Sequence, residues 1–117
     1  MAIVLYGIPN CDQVKKARAW LNDHALSFDF HDFKKAGISR SLIEAWLVHV
    51  AWDVLLNKKG TTWRALPDQR KAAVTDAASA AELMLEKPSV IKRPVLSVDE
   101  VTYSGFSDSL YQQIFKK

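Results

Sequence analysis

One cysteine, Cys11, is all the thiol chemistry in this 117-residue chain. A single thiol excludes an internal disulfide framework, a Cys-x-x-Cys redox pair and a thiolate-rich zinc site. Glycine and proline are scarce too, four of each, and no repeat, linker or low-complexity tract interrupts the chain. No apolar run approaches the roughly 20 residues needed to cross a bilayer. The stretch after Met1 is too short, and lacks the basic flank, for a secretory leader. A large excess of one charge is also missing: 16 Lys and Arg against 13 Asp and Glu leave a formal +3. The lysines fall in separated pairs, Lys15-Lys16, Lys34-Lys35, Lys58-Lys59 and Lys116-Lys117. Such a surface is solvated rather than a nucleic-acid footprint. These absences leave one globular domain, expected to be a cytoplasmic monomer with no membrane and no direct nucleic-acid partner.

What is present is ordered. Ala2 to Tyr6 reads as a strand, the Gly7-Ile8-Pro9-Asn10 run as a break, and Cys11 to Asp23 as a helix. Asn10 is expected to cap it, with Gln13 as the reciprocal partner of a capping box. Residues 27–32 alternate with period two and supply a second strand, so strand, helix and strand form a βαβ unit with a parallel pair. A helical stretch follows to about Lys87, with Ser39 and Thr75 as expected caps. Ile43, Trp46, Leu47 and Val50 share one helical face in it, as do Ala77, Ala80, Ala81 and Met84. Residues 94–98 and 101–103 flank an Asp99-Glu100 turn as a hairpin, and Ser107 caps a last helix bearing Leu110, Tyr111 and Ile114. The order is an α/β layer of four strands with a helical insertion between its halves.

Cys11 carries the chemistry. A thiol at a helix start faces unpaired backbone N–H groups and the positive end of the helix dipole, and both favour the reactive thiolate. Lys15, four residues on, falls over the same face, while the Asp12 carboxylate opposes it. With no second thiol in the chain, a disulfide made at Cys11 is resolved by an external thiol. His24, His31 and His49 lack metal-ligand spacing and no metal is expected; His31 alone draws interest, at the end of the second strand. Trp20, Trp46, Trp52 and Trp63 read as core or rim aromatics.

Tyr6-Gly7-Ile8-Pro9-Asn10-Cys11-Asp12 with Lys15-Lys16-Ala17, then His31-Asp32-Phe33-Lys34-Lys35 and Gly37, resembles the arsenate reductase (ArsC) family of thioredoxin-fold proteins. Leu55-Leu56-Asn57-Lys58-Lys59-Gly60-Thr61 with Arg64 extends the match, as do Pro88, Ile91-Lys92-Arg93-Pro94-Val95-Leu96 and Gly105-Phe106. The likeness covers essentially the whole chain and is similar to the branch of small reductase-like YffB proteins, related to the transcriptional regulator Spx. It implies a thioredoxin/glutaredoxin-like four-stranded mixed sheet, residues 1–33 and 88–117, with residues 34–87 as an inserted helical subdomain. It also implies Cys11 as nucleophile and Pro94 as a cis-proline facing it. Arg93, Lys15, Asn10 and Arg64 are then candidates for holding an anion, the thiolate or glutathione. Arsenate reductases of the family use three arginines. Arg93 matches one, Asn57 stands at the second, and the third falls near Gly105, with Arg64 a candidate substitute. The expectation is a monothiol oxidoreductase with no bound cofactor, taking glutathione as co-substrate against a small oxidised substrate, with glutaredoxin as a further partner. The alternatives are a true arsenate reductase and a non-enzymatic, Spx-like regulator that meets RNA polymerase through the insertion and exposed tryptophans.

Overall fold

Alternation of burial sets the first strand. In β1 (Ile3–Gly7) the buried Ile3, Leu5 and Gly7 alternate with half-buried Val4 and Tyr6, so one face of the strand enters a core. The computed structural model describes residues 1–116; Lys117, the last member of the Lys116-Lys117 pair, lies outside them. β1 leads to α1 (Asp12–Asp23) and then to β2 (Asp29–Asp32), which pairs parallel with β1, Tyr6 opposite His31 and Gly7 opposite Asp32. A short α2 (Phe33–Ala36) follows, its entry held by a 2.8 Å bond from the Lys34 N–H to Asp32 Oδ1.

The chain returns through β3 (Val95–Val98), antiparallel to β1, and β4 (Val101–Ser104), antiparallel to β3. The sheet order is β2-β1-β3-β4. Asp99 and Glu100 join the last two strands with φ of +49° and +72°. Two consecutive left-handed residues are what a two-residue type I′ hairpin requires. Here they are an aspartate and a glutamate, without glycine. The last helix of the chain (Asp108–Phe115) is capped by Ser107, whose hydroxyl accepts from the Leu110 N–H as expected.

One face of this sheet, with α1 and the last helix, encloses the core of the first unit. Ile3, Leu5, Val14, Leu21, Leu96 and Tyr111 are among its buried members. Trp20 lies edge-on to Tyr111 at 5.4 Å and donates its indole N–H to Asp108 Oδ1 at 2.6 Å. The two helices are thereby joined through both apolar and polar contact.

The unit built on the sheet comprises residues 1–36 and the segment from Arg93 onward; residues 37–92 form the second. The divisions fall a few residues from the 33/34 and 87/88 boundaries read from the sequence. α2 continues directly from β2, and Ile91 is bridged antiparallel to Leu56 inside the insertion.

The second unit holds α3 (Arg40–Leu47), α4 (Trp52–Leu55), α5 (Thr61–Arg64), α6 (Asp68–Ala72) and α7 (Ala77–Glu86), then a 3-10 turn at Pro88–Val90; the last helix of the chain is α8. α7 packs against α3, α4 and the 3-10 turn, and Ile43, Trp46, Leu55, Leu83, Met84 and Ile91 are fully buried there. Ser39 caps α3 as expected, accepting from the Leu42 N–H.

Several local expectations give way. Thr75 does not cap α7. Asp76 does, its carboxylate accepting from the Ser79 N–H while Ser79 Oγ faces the Asp76 N–H, which is a capping box. Ala77 is exposed, and Leu83 is buried instead. Trp20, Trp46 and Trp63 are buried and Trp52 half-buried, so the exposed tryptophan surface expected for a regulator is not there. No helix among the described residues is long and apolar enough to cross a membrane.

Candidate active site at the carboxyl end of β1

Gly7 ends β1 and Pro9-Asn10 form the corner of a turn closed by the Cys11 N–H on the Ile8 carbonyl at 3.4 Å. Proline at the first corner position and asparagine at the second are what such a turn favours. Asn10 is therefore spent in the turn, one residue too early to cap the helix, and the expected Asn10–Gln13 capping box does not form. The N-cap is Cys11 itself, extended at φ −94° and ψ 128°, with no side-chain cap bond. Cysteine is a weak cap, so the first-turn N–H groups of α1 receive no oxygen from it. They remain open at the terminus where the only thiol stands. Lys15 begins one helical turn further on, its N–H on the Cys11 carbonyl at 2.9 Å, and its side chain is exposed. Cys11 is half-buried against the apolar core of its unit.

Strand register gathers the other segments of this end. β1 and β2 run parallel and finish together, Gly7 opposite Asp32. β3 runs the opposite way, so Arg93–Pro94, just before Val95, lies at the same end; Tyr6 is opposite Val95. β4 finishes there too, Ser104 opposite Val95, and the Gly105 N–H donates to the Pro94 carbonyl at 2.8 Å. The Arg93–Pro94 bond is cis, as the family resemblance implied. Pro94 is buried and Arg93 half-buried, and among the described residues the Arg93 guanidinium has no ion-pair or hydrogen-bond partner.

The sequence reading of His31 as a residue of interest gains a partner it missed. The rings of Tyr6 and His31 lie 5.0 Å apart at this end of the sheet, and burial raises the Tyr6 phenol above its ordinary value. The signal was a strand register, which a single sequence does not display. Arg64 ends α5 in the helical unit, exposed, its carbonyl accepting from Lys71 Nζ at 3.2 Å. Among the described residues no group of three or more His, Cys, Asp or Glu is arranged to hold a metal.

A half-buried thiol at an uncapped helix start thus stands at the same end of a thioredoxin/glutaredoxin-like sheet as the cis-proline that opens β3. The profile of the ArsC family matches residues 6–114. The chain belongs to the ArsC family. An uncharacterised protein of Haemophilus influenzae is 40% identical, over 97% of this chain and 98% of its own. The solved structure of a YffB protein is 46% identical and superposes with a TM-score of 0.90 over 96% of this chain and 97% of its own. An arsenate reductase (ArsC) related protein from Brucella melitensis is 47% identical, covering 100% and 97%, with a TM-score of 0.78. The global transcriptional regulator Spx of Streptococcus agalactiae is 28% identical over 91% of this chain and 77% of its own.

Asn57 and Gly105, which the resemblance set at or near the family's other arginine positions, have distinct local settings. Gly105 has φ +82°, a backbone that a side chain adopts only with strain. Asn57 stands so close to Gly60 that a Cβ there would come within 2.9 Å of its Nδ2.

Proposed function

We propose that this ArsC-family chain is a monothiol oxidoreductase that uses glutathione as an external thiol. The observation that carries the reading is the placement of its one cysteine. Cys11 is the N-cap of an uncapped helix, at the end of the sheet it shares with Arg93 and cis-Pro94. The open N–H groups and the helix dipole favour the thiolate, and Arg93 and Lys15 add cationic groups for the anions that form.

In the first step the Cys11 thiolate attacks the glutathionyl sulfur of a mixed disulfide, R–S–S–G. The Cys11–glutathione disulfide forms and R–S⁻ leaves. In the second step a glutathione thiolate attacks the glutathionyl sulfur on Cys11. Oxidised glutathione forms and the Cys11 thiolate is restored; in sum one glutathione thiolate displaces R–S⁻ from R–S–S–G, and the disulfide passes from the substrate to oxidised glutathione. Lacking a second cysteine, the chain has no internal route for that second step. A reducing, glutathione-rich compartment, the cytoplasm, suits this cycle, with a glutaredoxin as a further acceptor and one chain as the working unit.

Intact-mass analysis after exposure to oxidised glutathione tests the reading. One adduct per chain is expected, mapped to Cys11, removed by excess reduced glutathione and absent in Cys11→Ser. No adduct at Cys11, or one that reduced glutathione leaves in place, overturns it. The likeness to Spx supports a second reading, a regulator bound to RNA polymerase. Val14 stands where that branch's second cysteine is expected, which counts against a thiol switch of that kind. Capture of RNA polymerase equally by the wild-type chain and Cys11→Ser, with no reductase turnover, would favour the regulator. Arsenate turnover with glutathione and glutaredoxin would assign the arsenate reductase variant.

A further inference from the structure

We propose that the sheet unit carries a second site, for a small monocarboxylate with a flat apolar body, held by Arg18 over a floor of Phe28 and Phe30. Strand register places the floor. Phe30 is opposite Leu5 of β1, so its ring lies on the face of the sheet that packs with α1. Phe28, two residues earlier, packs against the same core, and both rings are half-buried because β2 is an edge strand. Arg18 and Asn22 are one turn apart on α1 and share a helix face. With Leu26 and Ser27 they enclose a cavity of about 520 Å³ above the two rings. The cavity uses the second half of α1 and the start of β2. Cys11 stands at the other end of both, where α1 begins and β2 finishes.

Charge and hydrogen bonding select the ligand. Arg18 Cζ lies 4.4 Å from the Phe30 ring centroid, so the guanidinium is held against a ring that lines the cavity. Stacking restrains the long side chain and leaves its planar set of N–H donors for another partner. Among the described residues the Arg18 guanidinium, the Asn22 side-chain amide and the Ser27 hydroxyl make no hydrogen bond or ion pair. A ligand there displaces water rather than an internal partner. No carboxylate lines the cavity, and Asp29, between the two rings in sequence, is opposite Val4 and belongs to the other face of the strand. One cation without a lysine beside it matches a single negative charge. A dianionic phosphate would keep an unpaired charge, whereas a planar carboxylate meets the guanidinium in two parallel bonds. An open ion pair of this kind adds little affinity alone, so an apolar body against Phe28 and Leu26 supplies the rest. That combination selects an aryl-type acid over acetate.

The test is an NMR titration of the full chain with benzoate, acetate, benzamide and phenyl phosphate at matched ionic strength. Benzoate is expected to give saturable shifts at Asn22, Ser27, Phe28, Phe30 and the Arg18 Nε–H. Acetate, which lacks the body, and benzamide, which lacks the charge, should each bind about tenfold or more weakly. Arg18→Gln should cost benzoate the same factor and leave benzamide unchanged, with the rest of the spectrum reporting an intact fold. Arg18→Lys keeps the charge without the fork and should fall between. Shifts that do not saturate, that acetate or benzamide match, that phenyl phosphate exceeds, or that survive Arg18→Gln overturn the proposal. So do shifts centred on Cys11 and Arg93, which would put the acid in the redox site. Cys11→Ser should bind benzoate as the wild-type chain does, so the result is independent of the redox reading.

Discussion

Gly7 and Val14 meet so closely that a Cβ built on the glycine would lie 2.6 Å from Val14 Cγ2. This contact sets α1 against the end of β1, and Cys11 lies between the two residues in sequence. Val14 is fully buried and β-branched, so its side chain has little freedom to move aside. Gly7→Ala is therefore expected to displace the start of α1, at a cost of roughly 1–3 kcal/mol, the range for overpacking a filled core. Urea unfolding measures it. Val14→Ala should destabilise alone but add less than its own cost to Gly7→Ala, because the pair shares one space. Strict additivity would show that the contact does not set the helix position.

The other end of α1 gives a prediction of opposite sign. The Leu26 N–H donates to the Leu21 carbonyl and the Ala25 N–H to the Asn22 carbonyl, both at 3.0 Å, which is the paired bonding of a Schellman motif. The left-handed residue in it is Ala25, at φ +56°. Left-handed backbone costs an L-residue about 1–2 kcal/mol, partly offset because glycine loses more freedom on folding. Ala25→Gly should stabilise by roughly 0.5–1 kcal/mol. The urea midpoint should rise with the slope unchanged; a fall would mean that the alanine methyl contributes packing.

The elements most legible in the sequence are those with strong local chemistry. Ser39 and Ser107 cap the helices they precede, and Asp99-Glu100 turns a hairpin, because each acts on neighbours within a few residues. The α1 cap was misread for a related reason. Asn10 favours a turn corner as strongly as a cap, and Pro9 before it decided the matter. Thr75 lost to Asp76 because Ser79, three residues on from the aspartate, completes the reciprocal bonds. Cys11, Arg93 and Pro94 were legible as types and as a family pattern, whereas the Tyr6–His31 ring pair and the Leu56–Ile91 bridge arise from pairing between distant segments. Local sequence carries no record of such register.

Tyr111 is fully buried, and its hydroxyl has no hydrogen-bond partner among the described residues. Burial pushes its phenol far above the ordinary value of 10.0. In the unfolded chain the phenol loses its proton near pH 10 and in the folded chain it does not. Its contribution to stability is complete below that pH and is lost as pH rises from there toward the folded value. Tyr111→Phe removes both this alkaline sensitivity and an unsatisfied hydroxyl, so a gain of about 1 kcal/mol at neutral pH is expected. Tyr6, raised in the same direction by burial, leaves a residual slope. Urea unfolding across pH 8 to 11 checks both, and identical slopes in the variant would refute the assignment to Tyr111.

Acid should act at the opposite end of the titration, on α7. Bonds from the Ser79 backbone and side chain hold the Asp76 carboxyl below its usual 3.8. The stabilisation is present in full above that value and is lost as pH falls through the lowered one. Amide protection in the first turn of α7, taken relative to the intrinsic exchange rate at each pH, should therefore fall below about pH 4 in the wild-type chain. In Asp76→Ala that protection should be low already at neutral pH and indifferent to acid. Asp76 is exposed, so the effect is local rather than global.

Arg93 supplies the sharpest check on the redox reading. It is half-buried, adjoins cis-Pro94, and has no ion-pair partner among the described residues. A guanidinium that stabilises no folded-state anion is expected to matter little to stability and more to an anion that arrives. Arg93→Ala should leave the urea midpoint nearly unchanged yet slow formation of the Cys11–glutathione adduct about tenfold, equivalent to ~1.4 kcal/mol. Arg93→Lys should recover part of the rate, since the charge remains while the planar fork is lost. Raising ionic strength should narrow the gap between wild type and Arg93→Ala, because screening weakens only an electrostatic contribution. Equal adduct rates in wild type and Arg93→Ala at low salt would remove Arg93 from the site and leave Cys11 to the helix terminus alone.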